Sequence, residues 1–292
     1  MSLQIEPRIE SHPMDESSSV IASRPATLSV PHDRNRVRRR LLWGAATVLI
    51  VILHLLAIRG TDFDPAVLVE GWRGMARFLG DAFPPDLNWE TVVKPGLEAT
   101  LVTLWIGLLG TTLSIPTALL LAVLAARSTS PHPLAYQISR AILSFFRAVP
   151  DIVFALIFVT AVGLGPFAGV LALICHNTGV MGKLWAESME ETDHGPQEAL
   201  STTGASRLQQ IAHGSLPLVV PQFIGLLLYR FDVNVRSSLV LGLVGAGGIG
   251  LLINQAIKSF QFDTMLTHII IVLLLIIVVD QASGFIRRRL AV

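Results

Sequence analysis

Long apolar stretches dominate the chain from residue 41 onward, with polar residues gathered between them. A membrane-crossing helix needs about 20 apolar residues. Six stretches approach or exceed that length: Leu41–Ile58, Leu97–Ala125, Ile138–Val162, Phe167–Trp185, Leu216–Leu241 and Met265–Ile286. The first is somewhat short, the second is interrupted by Pro116, and the third contains Pro150. The turn Gly163-Leu164-Gly165-Pro166 parts the third from the fourth. The pattern predicts an all-α, polytopic membrane bundle of six transmembrane helices. The two prolines are expected to kink their helices, and Pro150 is the candidate gating hinge.

The polar stretches predict topology. Residues 1–32 are polar and aperiodic, and residues 1–40 are expected to form a disordered tail that ends in a basic flank, Arg34, Arg36, Arg38, Arg39 and Arg40. No apolar core follows a short basic start, so no secretory signal is expected. Basic residues flanking a span stay in the cytoplasm. Six spans starting inside return inside, in agreement with Arg287-Arg288-Arg289. Residues 41–58 are then the first transmembrane helix, 126–137 and 186–215 are cytoplasmic, and 59–96 is external. The charge rule is ambiguous in the middle, because 59–96 also carries Arg59, Arg73, Arg77 and Lys94.

Two polar segments predict short helices. In 59–96, Asp64-Pro65 reads as a cap followed by proline, and Phe63 and Leu68 are spaced as a hydrophobic staple. Leu68, Trp72, Met75 and Leu79 form one stripe, predicting an amphipathic helix at the membrane surface. In 186–215, Gly195-Pro196 starts a short helix, Gln197–Thr203, which Gly204 ends. Ser206 and Gln209 form a capping box for a second helix, expected to run to His213 and stop at Gly214. Two such helices make a stiff elbow between spans.

Composition sharpens the class. Of 292 residues, 52% are apolar and 15% charged, with mean hydropathy +0.61. Soluble domains carry about 25% charged residues, so this chain cannot coat a soluble surface. A net charge of +1 argues against binding nucleic acid by bulk charge. A single cysteine, Cys175, excludes an intramolecular disulfide and a multi-cysteine zinc site. Gly245-Ala246-Gly247-Gly248-Ile249-Gly250 matches G-x-G-x-x-G, but a span precedes it where a dinucleotide fold needs a strand. Gly245, Gly247, Gly248 and Gly250 instead predict a break in the span or close helix packing. There is no G-x-x-x-x-G-K-[ST] and no H-E-x-x-H. No catalytic residue, metal site or cofactor is assigned to this chain.

The fifth span holds the residues most costly to place in a membrane: Arg230, Asp232, Asn234, Arg236, Ser237 and Ser238. Asp232 and Arg236 are spaced to pair along one face, with Arg230, Asn234 and Ser237 on a neighbouring stripe. The set is read as lining a polar path, whose arginine forks suit phosphonate or phosphate oxygens. The competing reading is a structural ion pair.

Glu198-Ala199-Leu200, then Gly204, then Leu216-Pro217 resembles the EAA loop of ABC-importer permeases. Leucine stands in place of the second alanine, and Gly214 where an isoleucine is expected, with Ile211 about one turn earlier. Phe146–Pro150, Val162–Gly169, His176–Gly179, Leu228–Arg236 and Leu241–Gly250 are similar to the phosphonate-type branch of the MetI-like superfamily. The branch favours glutamate at Asp232. The resemblance implies a MetI-like permease domain over 97–290 and a coupling loop, 186–217, that docks an ATPase through Glu198, Ala199, Leu200, Gly204, Ile211, Leu216 and Pro217. It also implies a homodimer in the bacterial inner membrane, two ATPase subunits that carry the ATP and Mg, and an external substrate-binding protein. Phosphonate, phosphate and phosphite are the expected cargo. The alternatives are a permease for methionine or betaine, or a standalone secondary transporter using Asp232 as an ion site.

Overall fold

The computed structural model describes residues 36–193 and 195–289. The expected disordered tail lies outside the described residues up to position 35. The chain divides into two compact units, Met1–Leu68 and Val69–Val292.

In the first unit, α1 (Arg36–Gly60) starts five residues ahead of the expected Leu41. Arginine is a good helix former, and no breaker separates Arg36–Arg40 from the apolar run. Arg36, Arg38, Arg39 and Arg40 of the expected basic flank therefore lie in the first turn and a half of the helix, and Arg34 lies outside the described residues. Asp62, with φ +48°, ends it, and Phe63 N–H reaches back to Ile58 O. Asp64 Oδ1 accepts from Ala66 N–H at 2.8 Å and caps α2 (Ala66–Glu70), in which the division between units falls.

The second unit opens with α3 (Trp72–Ala82). The expected single amphipathic helix is thus two elements parted at Gly71, where glycine weakens a helix by about 1 kcal/mol. Phe78 meets Phe262 edge to face at 4.9 Å, while Trp72, Met75 and Leu79 remain exposed.

A π-helical turn, Trp89–Val93, leads into α4 (Lys94–Ala125). α4 runs on through Pro116 as one helix. A proline removes one internal hydrogen bond, and packed neighbours hold the rest. The hydroxyls of Ser114 and Thr117 donate to carbonyls one turn back, at 2.7 and 3.0 Å.

Pro150 acts far more strongly than a kink. The expected third span is two helices, α5 (Pro133–Ala148) and α6 (Asp151–Val162), bent by 87°. Proline drives the preceding Val149 out of the helical region, to φ −83°, ψ 121°. The break packs against Gly179, where a Cβ would stand 2.5 Å from Arg147 N.

The next helix, α7 (Pro166–Glu191), runs six residues past the expected Trp185 and absorbs Glu187, Glu190 and Glu191. These glutamates extend a helix instead of opening a loop, because Lys183 and Arg140 pair with two of them. The elbow is therefore shorter than 186–215. It consists of α8 (Gly195–Thr202) and α9 (Arg207–Gln210). A π-helical turn, Ile211–Ser215, then carries the chain directly into α10 (Leu216–Leu243), so Gly214 does not end a helix as expected. Gly214 lies against Gln197 of α8.

The glycine run ends α10 and reverses the chain into α11 (Ile249–Lys258), a short helix the apolar pattern did not reveal. Then α12 (Phe262–Arg289) returns through the bundle. With the bent pair counted as one span, six segments are long and apolar enough to cross a membrane. No strand occurs among the described residues.

Within the second unit, α4 and α7 are the central pair. Small residues bring helices together where lipid offers no hydrophobic drive. Gly110 leaves room for Leu173, Gly107 for Val235 and Gly182 for Leu143. The ends of α4 and α7, the start of α5 and the elbow gather at one end of the unit. The start of α12 lies at the other, beside the beginning of α4 and about 48 Å away by its length, and the glycine turn with the 163–166 turn packs level with Thr103, about 33 Å from the α4 end.

Candidate functional site

The elbow is built from local rules. At the end of α8, Gly204 takes φ +79°, with Gly204 N–H bonded to Ser201 O at 3.1 Å and Ala205 N–H to Leu200 O at 3.3 Å. This is a Schellman stop, whose left-handed residue is glycine for want of a Cβ. Ser206 and Gln209 form the capping box of α9. Gln197 bonds Ser215, and Arg207 donates to Ser130 O at 2.7 Å, tying the elbow to the π-helical turn ahead of α10 and to the α4–α5 loop. Glu198, Ala199, Gly204 and Pro217 are exposed, while Leu200, Ile211 and Leu216 are half-buried. Leu208 stands 76% exposed. The elbow thus presents a mixed polar and apolar face held on a stiff mount.

Beside it, Glu190 is a clamp that sequence reading missed. Arg140 donates to its Oε2 at 2.9 Å and the Arg127 N–H to its Oε1 at 2.8 Å. The acidic run marked Glu190 as polar, but its partners lie fifty and more residues away in sequence.

On α10 the five expected path residues separate into two groups. Positions 230 and 232 lie about 200° apart around a helix, so the stripes are nearly opposite rather than neighbouring. On one face, buried Arg230 donates to Asn177 Oδ1 at 2.6 and 3.1 Å and to Asn234 Oδ1 at 3.4 Å. Asn234 in turn donates to Thr111 at 2.7 Å. On the other face, Arg236 pairs with Asp232 at 2.9 Å and with Asp280 of α12 at 3.5 Å. Asp232 is 5% exposed, whereas the Arg236 side chain is 49% exposed. Ser237 is half-buried on the Arg230 side. Asn177, Thr111 and Asp280 complete these groups from other helices.

The broken pair is secured at its bend. His176 Nδ1 lies 3.1 Å from Val149 O, one of the carbonyls the break frees. At the far end, Gly165 N–H donates to Gly245 O at 3.0 Å, and Ile249 N–H to Thr103 Oγ1 at 2.9 Å. Gly245, Gly247 and Gly248 all have positive φ. A Cβ on Gly247 would meet Pro166, and one on Gly250 would overlap Leu239 O. The glycine turn therefore locks α10 and α11 against the turn that follows α6.

A family model described as "Binding-protein-dependent transport system inner membrane component" matches residues 118–292. A phosphite transport system permease protein of Stutzerimonas stutzeri is 37% identical over 226 residues, 77% of this chain and 81% of that protein. A phosphate-import permease protein of Mycolicibacterium smegmatis is 39% identical over 227 residues, 78% of this chain and 42% of that protein. A methionine ABC transporter in an inward-facing conformation superposes with a TM-score of 0.57 at 23% identity, over 68% of this chain and 95% of that one. An alginate ABC transporter superposes with a TM-score of 0.54 at 16% identity, over 87% of this chain and 96% of that one. These last two likenesses concern the fold.

Proposed function

Since the chain belongs to the family of binding-protein-dependent transport system inner membrane components, we propose that two copies of it form the transmembrane path of an importer for phosphate-type oxyanions. The chain is a multi-pass permease subunit of an ABC importer, not an enzyme. The observation that carries the wider reading is the elbow: an exposed surface between two apolar spans, whose left-handed turn at Gly204 is fixed by two backbone hydrogen bonds. On this reading ATP and Mg belong to two partner ATPase subunits that dock there, and the elbow and Arg287–Arg289 face the cytoplasm. Docking through Glu198–Pro217 transmits their closure to α10. An external binding protein delivers the anion at the opposite end.

Phosphonate, phosphate and phosphite share an oxyanion that arginine binds in a fork. The names of the two relatives, for phosphite and for phosphate, support this class. In the path reading Arg236, poised between two carboxylates, relays the anion without holding it tightly. Arg230 and Asn234, on the nearly opposite face, brace α10 against Asn177 and Thr111, and the Pro150 break and the glycine turn frame the gate.

The test is uptake. Proteoliposomes holding this permease, its ATPase and a loaded binding protein should accumulate methylphosphonate or phosphate only with ATP on the elbow side. Accumulation driven by a proton or sodium gradient without ATP would favour a secondary transporter. Native mass spectrometry of the complex should show two copies of this chain; one copy beside a different permease would refute the homodimer and leave the class intact. Arg236→Ala should lower uptake by about tenfold or more, ~1.4 kcal/mol in the barrier, at normal membrane level. Undiminished uptake would make the Asp232–Arg236–Asp280 set a structural one.

A further inference from the structure

The elbow end carries charges that no step of transport above uses. A cavity of about 320 Å³ is lined by Arg127, Ser130, His132, Tyr136 and Arg207. Beside it, a larger one of about 540 Å³ shares Arg127 and reaches Arg140 and Glu190. The charges around them do not balance. Both oxygens of Glu190 are occupied, by Arg140 and by the backbone of Arg127. Among the described residues the guanidinium of Arg127 hydrogen-bonds the Tyr136 hydroxyl, at 3.1 Å, and that of Arg207 the Ser130 carbonyl, at 2.7 Å. Neither forms an ion pair among the described residues.

Two further features add a donor or positive potential, and a third holds the cations in place. The cavity lies at the N-terminus of α5, the positive end of a 16-residue helix. His132 Nδ1 accepts the Leu134 N–H at 3.1 Å, so the ring's proton sits on Nε2 as a donor. The Tyr136 ring lies 5.6 Å from Arg127 and 4.9 Å from Arg140, which fixes the posture of both cations.

We propose that this cavity binds a phosphate oxyanion, clasped between the forks of Arg127 and Arg207. Two sources carry that chemistry: the headgroup of an anionic phospholipid, since the cavity lies where apolar helices end, and free phosphate on the elbow side. Either occupant joins the first residue of α9 to the α4–α5 loop and so braces the elbow. The site stands apart from the α10 path and holds whichever protein the elbow docks.

The test uses the full permease–ATPase complex in nanodiscs. In discs doped with phosphatidylglycerol, native mass spectrometry should find that lipid retained by the wild type and lost from Arg127→Gln/Arg207→Gln. In phosphatidylcholine discs, inorganic phosphate should slow phenylglyoxal modification of Arg127 and Arg207 but not of Arg288. The first result assigns the lipid headgroup, the second the free anion, and either supports the site. The double variant should weaken the responsible ligand by about a hundredfold, with each tenfold worth ~1.4 kcal/mol. Arg127→Lys/Arg207→Lys keeps the charge, removes the forks and should bind in between. The proposal is overturned if neither phosphatidylglycerol nor phosphate protects Arg127 and Arg207 of the wild type beyond Arg288, or if the glutamine variant binds as the wild type does.

Discussion

Gly250→Ala is expected to remove most of the folded protein from the membrane. A Cβ there would overlap the Leu239 carbonyl oxygen and stand 2.9 Å from Gly242 Cα, both backbone atoms that cannot swing aside. Gly242 is closed in from the other side, its own Cβ position lying 2.6 Å from Gly247 O. Overpacking costs about 1–3 kcal/mol when side chains can yield, and here only backbone is available to move. The thermal midpoint in detergent should fall by about 10 °C or more, at 2–4 °C per kcal/mol for a chain of this size. Gly284→Ala is the control: α12 has open space at that position, so it should be neutral or slightly stabilising. A Gly250→Ala protein as stable as Gly284→Ala would show that the α10–α11 turn does not lock the far end.

The second large effect is expected at Gly204, and it should appear in coupling rather than in folding. Nothing lies within 4 Å of a Cβ built there, so a side chain meets no neighbour. The obstacle is the φ of +79°, a conformation that costs an ordinary residue about 1–2 kcal/mol and a β-branched one more. Gly204→Val should therefore distort the turn between α8 and α9 while the spans insert normally. Transport should fall by about tenfold or more, and ATP hydrolysis should stop responding to loaded binding protein. Asparagine tolerates left-handed backbone, so Gly204→Asn should retain most of the activity. Normal stimulation in the valine variant would mean that the elbow's shape does not carry the signal.

What the sequence made legible follows how local each feature is. The spans were readable from apolar runs, and α8's glycine stop and α9's capping box from residues three to four apart. The 87° bend at Pro150 was not readable as two helices, because the charges beside it, Arg147 and Asp151, do not interrupt the run of Ile138–Val162 for long enough to mark a turn; what opens the angle is room on α7, at Gly179. The end of α7 was misjudged because Glu187, Glu190 and Glu191 look like loop residues until Lys183 and Arg140 are known to pair with them. Short α11 was hidden by the glycines before it. On α10, spacing correctly joined Asp232 to Arg236, but Arg230 and Asn234 face Asn177 and Thr111, which only the packing of α4 and α7 brings within reach. The cluster of Arg127, Tyr136, Arg140 and Arg207 was unreadable for the same reason, since its parts come from three separate segments.

The central claim, that the elbow meets the ATPase, has a direct measurement. With Cys175 replaced by alanine, a single cysteine is introduced at Ala199 on the exposed face of α8, or at Phe260, 79% exposed beside the start of α12 at the opposite end. Each variant is assembled with its ATPase subunits and treated with a short bismaleimide linker, the ATPase carrying cysteines across its membrane-facing surface. The account predicts a permease–ATPase adduct from position 199 and none from position 260. An adduct from 260 with none from 199 would contradict it, placing the ATPase at the other end of the helices.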